Sequence, residues 1–400
     1  MRLQLSGAQP GAAAGRAVTA AAPEPACGPA PVPGPALGAS LLAASLGLLL
    51  AAPAGAETAP ERGSVSVKYL DYLDSQPDAD RIRVKASALN VVAPLAGAWS
   101  LGATLVHDAI SGASPAYHTA ALGQMHDTRR AADAEVTRYF DRASLSAGAS
   151  YSTESDYLSR GLSLQAGLSS DDQNTTWSAG LAASNDDINP TNRVVANERR
   201  HSANALLSVT QVLGVNDIVQ LSLGRALGRG YFSDPYKVFD ERPRARRNST
   251  LLARWNHHIG SLQATLRLSY RYYSDSWDVR AHTLGLEYVQ PLPGGWTLTP
   301  ALRLYTQSAA RFYVDADPGS PFVPNPPPGA VYFSEDQRLS AFGAATLGLK
   351  LARQINADWQ ADLKLERYVQ RSDWRRFGAG SPGLPRFEAR SLFAGVSRQF

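Results

Sequence analysis

The chain has 400 residues, a formal charge of +4 and 18% charged residues, figures that exclude a disordered or polyelectrolyte chain. Its single cysteine, Cys27, lies in a segment expected to be removed on export. The mature chain then lacks a thiol, which excludes a disulfide framework, cysteine-ligated zinc, an iron–sulfur cluster and covalent c-type haem. No cofactor or metal is predicted.

Residues 1–35 hold only Arg2 and Arg16 as positive charges, so either the start codon is set too early or the leader is unusually extended. From Ala36 to Ala52 the sequence is apolar and uncharged, and Pro53, Ala54, Gly55 and Ala56 follow. This is an h-region ending in an A-x-A-type cleavage site, which predicts a leader and signal peptide over 1–56 and a mature chain from Glu57. The run is shorter than the ~20 apolar residues of a retained membrane anchor. No comparable run follows, which excludes a helical-bundle membrane protein.

From Ser64 onward the pattern has a period of two. Leu262, Ala264, Leu266, Leu268, Tyr270 and Tyr272 alternate with Gln263, Thr265, Arg267, Ser269 and Arg271, as a strand between lipid and water requires. The same alternation sets Leu298, Leu302 and Leu304 against Thr297, Thr299 and Arg303, and Trp359, Ala361, Leu363 and Leu365 against Gln360, Asp362, Lys364 and Glu366. It also sets Ile82, Val84, Ala86 and Ala88 against Arg81, Arg83 and Lys85. The count to Phe400 predicts an all-β, transmembrane antiparallel β-barrel of about sixteen strands over 57–400.

The connections alternate between short and long. Pro94–Ala98, Phe140–Arg142, Gly214–Asp217, Ile259–Ser261, Pro291–Gly295 and Gln354–Asp358 are short. Ile110–Arg130, Asp186–Arg199, Tyr231–Arg244, Arg311–Ser334 and Ser372–Arg386 are long. Short periplasmic turns and long outer loops are the asymmetry of outer-membrane barrels, which predicts that both termini face the periplasm of a Gram-negative cell. Trp99, Trp177, Trp296 and Trp359 each follow a short turn, the placement of an aromatic girdle at one membrane interface. The C-terminal segment Leu392, Ala394, Val396 and Phe400 resembles the signal read by the barrel-insertion machinery. Arg398 departs from it where an aromatic is common.

KYLDYLD (Lys68 to Asp74), SGASPAYHT (Ser111 to Thr119), VTRYFDR (Val136 to Arg142), YSTESDYLSR (Tyr151 to Arg160) and DDQNTT (Asp171 to Thr176) together resemble a family of Gram-negative outer-membrane β-barrels defined only as a domain of unknown function. The likeness runs through the mature chain and is most specific in its first third. It brings no catalytic residue. It implies a redox setting, because genes of the family sit beside a flavin-attaching transferase and a thioredoxin-like protein.

In such a barrel, inward-facing charges set what passes. Arg81, Arg83, Lys85, Arg267, Arg271, Arg303 and Lys350, opposed by Asp133, Glu135, Glu287, Asp362 and Glu366, predict a lumen that leans positive. The expected function is a porin-like conduit for small solutes. The alternatives are a non-conducting scaffold for a periplasmic or surface redox partner, and a hydrolase mounted on the rim, for which Asp186 with Asp187 and Asp315 with Asp317 are candidate loop acids with no catalytic partner in the sequence. His107, His118 and His126, near Asp108 and Asp127, match no metal-binding spacing. His257 and His258 read as interface residues. Arg242, Arg244, Arg246 and Arg247 form a basic run suited to lipopolysaccharide phosphates, and acidic loops suit divalent ions that bridge them. No nucleic-acid partner is predicted. Asp315 to Gly329 is stiffened by Pro318, Pro321, Pro324, Pro326, Pro327 and Pro328, and either constricts the lumen or stands as a surface loop.

Overall fold

A computed structural model describes residues 58–77, 79–112, 125–237, 239–317 and 324–400. The predicted leader, cleavage site and Cys27 lie outside them. In chain order the strands are β1 (Ser64–Gln76), β2 (Ala79–Leu95), β3 (Trp99–Gly112), β4 (Met125–Tyr139), β5 (Ala143–Thr153) and β6 (Tyr157–Ser169). There follow β7 (Thr175–Ile188), β8 (Glu198–Val212), β9 (Asp217–Gly230), β10 (Asp240–Glu241), β11 (Ala245–Ile259) and β12 (Ala264–Asp275). The last are β13 (Arg280–Leu292), β14 (Trp296–Gln307), β15 (Phe333–Ser334), β16 (Phe342–Gln354), β17 (Trp359–Arg371) and β18 (Phe387–Gln399). All but β10 and β15 form one closed antiparallel barrel, shut by the pairing of β1 with β18; β10 and β15 form a separate two-stranded sheet. The sixteen-strand wall is the count the alternation predicts. Closure leaves no edge, so each strand's amides find partners without water.

The register fixes which side chains share a face. One row starts at Leu292 and Trp296 and passes through Arg353, Ala361, Val396, Val67, Leu89 and Leu105. It continues through Ala132, Tyr151, Arg160 and Asn185 to His201 and Arg229. The row begins beside a turn and ends beside a loop, so the strands are tilted, as closure with a staggered register demands. This row is the outer face. Leu162, Leu181 and Leu347 on the same face are 70%, 63% and 63% exposed, an apolar surface that hydrocarbon accepts and water penalises at about 25 cal/mol per Å². Among the described residues no helix is long and apolar enough to cross a membrane.

Both ends of the barrel wall lie beside the short turns. Gly63 and Phe400 exchange backbone hydrogen bonds of 2.9 Å at that end, next to the turns that follow β2, β4, β6, β8, β11, β13 and β16. The turn after β13 depends on Gly294 and Gly295, with φ of 76° and 77°; a Cβ on Gly295 would stand 2.7 Å from the carbonyl of Gln354. The opposite end carries the long loops, and also three short hairpins, after β1, β5 and β12, that the alternation of lengths did not predict. The short turn that precedes Trp177 lies between Ser169 and Thr175, inside the DDQNTT motif.

The strands run from 11 residues in β5 to 17 in β2. About 9–11 tilted residues cross a bilayer, so the longer strands project on the loop side. Apolar packing concentrates there. Tyr72, Ile82, Val84, Phe342, Tyr368 and Phe387 point inward and bury Leu384 of the loop after β17. Trp277, 1% exposed, packs with Val279, Phe312 and Leu339 against Phe232 and Tyr273.

Candidate functional site

The inner wall has two chemically different halves. On β5 to β9 the inward positions are small and mostly uncharged, such as Ser146, Gly148 and Ser150 on β5, Ser163 on β6 and Ser222 on β9. Several of their hydroxyls bond across strands: Thr137 with Ser146 at 2.7 Å, Ser169 with Thr176 at 3.1 Å and Ser208 with Ser222 at 2.8 Å. On β11 to β18 the inward positions carry charge. Arg254 of β11 lies in one row with Ser269, Gly285 and Arg303. Arg267 and Arg271 flank that row on β12, and Glu287 is the one acid among them on these four strands at this level, 3.6 Å from Arg267. Four guanidiniums on β11, β12 and β14, beside a wall of hydroxyls on β5 to β9, make a site that attracts anions.

The register places Glu135, Arg267, Arg271, Glu287, Arg303, Lys350, Asp362 and Glu366 on this inward face. Lys350 stands directly opposite Lys364, whose ammonium lies 3.2 Å from Glu366 and 5.5 Å from the Phe393 ring centre. Arg81 also turns inward, but through a bulge: the β1–β2 register shifts between Leu73 and Ser75, and the guanidinium sits 3.9 Å from Asp74 and over Phe387. Arg83 and Lys85 do not face the lumen. Arg83 pairs in register with Leu73 and Lys85 with Asp71, on the row parity of Val67 and Tyr69, so both point outward, with Arg83 2.5 Å from Asp71. Their neighbours Ile82 and Val84 face in, buried under the loops. The predicted alternation is present on β2, with its inward and outward sides exchanged. Beyond the apolar band both faces meet water or protein, so charge no longer marks the lumen. Arg254 and Lys364 also face the lumen: Lys364 stands on the polar side of its strand's alternation with Asp362 and Glu366, whereas Leu252 beside Arg254 on the inward face blurs the pattern on β11.

The loop-side mouth is spanned by a cap. Arg242 lies 2.8 Å from Asp240 and 2.7 Å from Asp336. Arg338 lies 2.9 Å from Asp234 and also contacts Asp336, which is 1% exposed. Burial alone would raise the pKa of Asp336, but Arg338, Lys237 and Arg242 hold it well below the usual carboxylate range. From this knot the ties run outward. Tyr236 donates to Asp156 of the β5–β6 hairpin at 2.6 Å, Gln76 of β1 bonds Gln337 at 3.5 Å, and the Gly383 amide donates to Asp315 at 2.7 Å. The hairpin, the loop after β9, the loop after β14 and β1 lie about a quarter of the circumference apart, so the chain of contacts bridges the mouth. Pro318 and Pro321 of the proline-rich segment lie outside the described residues.

The loop acids offered for catalysis have structural partners. Asp186 faces inward to Ser159 at 2.8 Å and Arg200 at 2.9 Å, and Asp187 faces outward between Arg199 at 3.5 Å and Arg160 at 3.8 Å. Asp315 accepts from Tyr313 at 2.9 Å. The basic run is dispersed: Arg242 is buried in the cap, Arg244 pairs with Glu198 at 2.6 Å, Arg246 turns inward to Asp275 at 2.6 Å and over Trp277, and Arg247 alone is left on the outer face. His257 is 2.8 Å from Asp217 at the turn end. His107 faces outward, and His118 lies outside the described residues.

Among the described residues Asp127 joins a group of acids, Asp127, Glu154 and Asp156, with carboxylate oxygens within 4.8 Å of one another. Oxygen ligands of this kind suit a hard cation. Burial first, then repulsion from Asp156, Asp127 and Asp108, pushes Glu154 up to about 8 from 4.5. A raised folded pKa means that the folded chain keeps a proton the unfolded chain has lost. Stability therefore falls as pH rises from about 4.5 to about 8. Glu154→Gln, which mimics the protonated form, is expected to flatten that fall, a gain on the order of 3 kcal/mol or less at pH 8. Urea unfolding in lipid vesicles across this range checks it; parallel pH curves for the two proteins would refute the assignment.

At the turn end Trp99, Trp177, Trp296 and Trp359 all occupy outward positions. Arg138, Arg353 and Arg398, each opposite one of them in register, lie 5.2, 4.9 and 5.5 Å from the ring centres of Trp99, Trp296 and Trp359. Arg398, the departure in the C-terminal signal, thus has a partner. Trp255, at the end of β11 and bonded to Asp217 at 2.8 Å, stands on the same outward face.

A comparison with curated protein sequences finds no match. Among solved structures, the "Bacterial polysaccharide outer membrane secretin" is similar with a TM-score of 0.52 at 11% identity, over 84% of this chain and 98% of that one. OccD3 (OpdP) of Pseudomonas aeruginosa gives a TM-score of 0.43 at 11% identity, over 87% and 94%. At such identity the first likeness establishes the fold, that of an outer-membrane β-barrel, and the second adds no argument. A family model described as "Protein of unknown function (DUF3570)" matches residues 118–198 and 191–384. With the closed sixteen-strand wall and the family's pattern over most of its length, the chain is an outer-membrane β-barrel that belongs to the DUF3570 family of unknown function.

Proposed function

We propose that this barrel is a passive conduit across the outer membrane for small solutes, with a preference for anions and a mouth throttled by its cap. The observation that carries the reading is the inward row of Arg254 and Arg303 with Arg267 and Arg271 beside it, set in a barrel of sixteen strands. A wall of that size leaves an aqueous lumen unless loops fill it. Side chains at this level keep contact with water: Glu287 is 42% and Arg267 23% exposed. Export by a cleavable signal peptide, periplasmic termini and recognition of the Leu392 to Phe400 strand by the insertion machinery complete the reading. The four tryptophans then sit at the periplasmic interface.

Purified protein in planar bilayers under a salt gradient is expected to give stepwise currents whose reversal potential shows anions moving more freely. A cation preference would remove the proposed selectivity. Absence of any current would favour the second reading, a non-conducting scaffold that docks a periplasmic or surface redox partner, which the buried knot of the cap supports.

A further inference from the structure

The outer face at the loop end gathers a basic patch that the order of the sequence does not reveal. Arg247 of β11 stands opposite Leu227 of β9, diagonal to both Arg225 and Arg229. Diagonal neighbours across antiparallel strands lie about 7–8 Å apart, within the joint reach of arginine side chains. His201 of β8 is directly opposite Arg229, and Arg199 is diagonal to it. All five are exposed. The register positions around the three arginines, among them Ala203, Ala205, Ala245 and Ser249, bring no acid. The nearby carboxylates are paired with other cations than these three arginines: Asp187 with Arg160 and with Arg199 at the edge of the patch, Glu198 with Arg244, Asp278 with Arg311 at 4.0 Å, and Asp275 inward with Arg246.

The rim on β1, β2, β17 and β18 differs. There the outward cations alternate with acids, as in Arg83 with Asp71, Arg367 with Glu388 and Arg371 with Asp373. The cluster on β9 and β11 gathers three arginines with no acid among their register neighbours, and it has apolar surface directly beneath it. Leu221 and Leu223 continue the outward row of β9 toward the turn end, 45% and 53% exposed. Phosphate above and acyl chain below is the complement of that surface.

We propose that Arg225, Arg229 and Arg247 bind the phosphates of a phosphorylated glycolipid of the outer leaflet, of the lipid A class, whose acyl chains lie along Leu221 and Leu223. Guanidiniums suit this role because each presents two parallel donors to phosphate oxygens. The proposal rests on the outer-membrane placement of the barrel and commits to a lipid, because free phosphate makes no use of the leucines.

The test uses the full chain purified in detergent and native mass spectrometry with bisphosphorylated lipid A, dephosphorylated lipid A and inorganic phosphate. Wild type is expected to retain the bisphosphorylated lipid. The R225Q/R229Q/R247Q variant is expected to bind it about tenfold or more weakly, at roughly a decade per few lost contacts. Arg367→Gln, from the mixed-charge part of the rim, should bind as wild type does. Equal retention by wild type and the triple variant, or equal binding of the two lipids to wild type, overturns the proposal, as does complete displacement by inorganic phosphate. Single-channel recording of the triple variant separates the two readings. Unchanged conductance with unchanged lipid binding sinks the lipid site alone, whereas failure of wild type to enter lipid vesicles sinks both.

Discussion

Replacing Asp336 by asparagine is expected to unlatch the cap while leaving the wall intact. Asp336 is the shared counter-charge of Arg242 and Arg338, buried where the loops after β9 and β14 meet. Asparagine keeps the shape and removes the charge, so two buried guanidiniums lose the anion that compensates their desolvation. Breaking a buried pair in this way costs about 3–5 kcal/mol, far above the 0–1 kcal/mol of a surface pair. Asp240 and Asp234 still hold one arginine each, which confines the loss to the knot. The wall has its own continuous hydrogen-bond ladder and does not depend on the cap. Hydrogen exchange should therefore accelerate in 231–237, 239–244 and 324–341 and stay unchanged in β5 to β9. In the conduit reading the same variant conducts more, or stays open longer, than wild type. Unchanged exchange in those loops would show that the knot does not hold the cap.

The second large effect is expected in the lumen. Arg254→Glu with Arg303→Glu places two negative charges in one row, beside Glu287, and changes the local charge by four units at the level where the positive excess lies. The reversal potential measured under a salt gradient should change sign, from anion to cation preference. The same reversal applied outside, Arg83→Glu with Lys85→Glu, is expected to leave selectivity as it was, because those side chains point away from the lumen. This pair of variants separates position from net charge. If both shift the potential equally, selectivity comes from the overall field of the protein rather than from the inner wall. If neither does, the solute path does not pass Arg254.

The tether from the β5–β6 hairpin to the cap links these effects to pH. Asp156, which burial pushes up, accepts from Tyr236, so the acid group around Glu154 leans on the same loop that carries Arg242. Loosening of that corner with rising pH would reach the cap through this hydrogen bond. Hydrogen exchange of Glu154→Gln in residues 231–237 at pH 8, compared with wild type, reports it directly.

The sequence by itself determined the wall. Alternation with a period of two is a local property, and within the apolar band it is unambiguous, because a side chain there meets either hydrocarbon or water. That is why the strand at 262–272, the strand count and the inward placement of Arg267, Arg271, Arg303 and Asp362 were legible. The side-by-side partners were not. Which residues share a row depends on the stagger of sixteen strands around a closed ring, a long-range property that no ten-residue window contains. Arg254 and Arg303 come together, and so do Arg225, Arg229 and Arg247, only through that stagger, while the contiguous run Arg242 to Arg247 is scattered over the cap, the lumen and the outer face. The bulge opposite Asp74 and the loops packed on Ile82 and Val84 decided the loop end for the same reason. Above the membrane band polarity ceases to report direction, and only tertiary packing remains to set it.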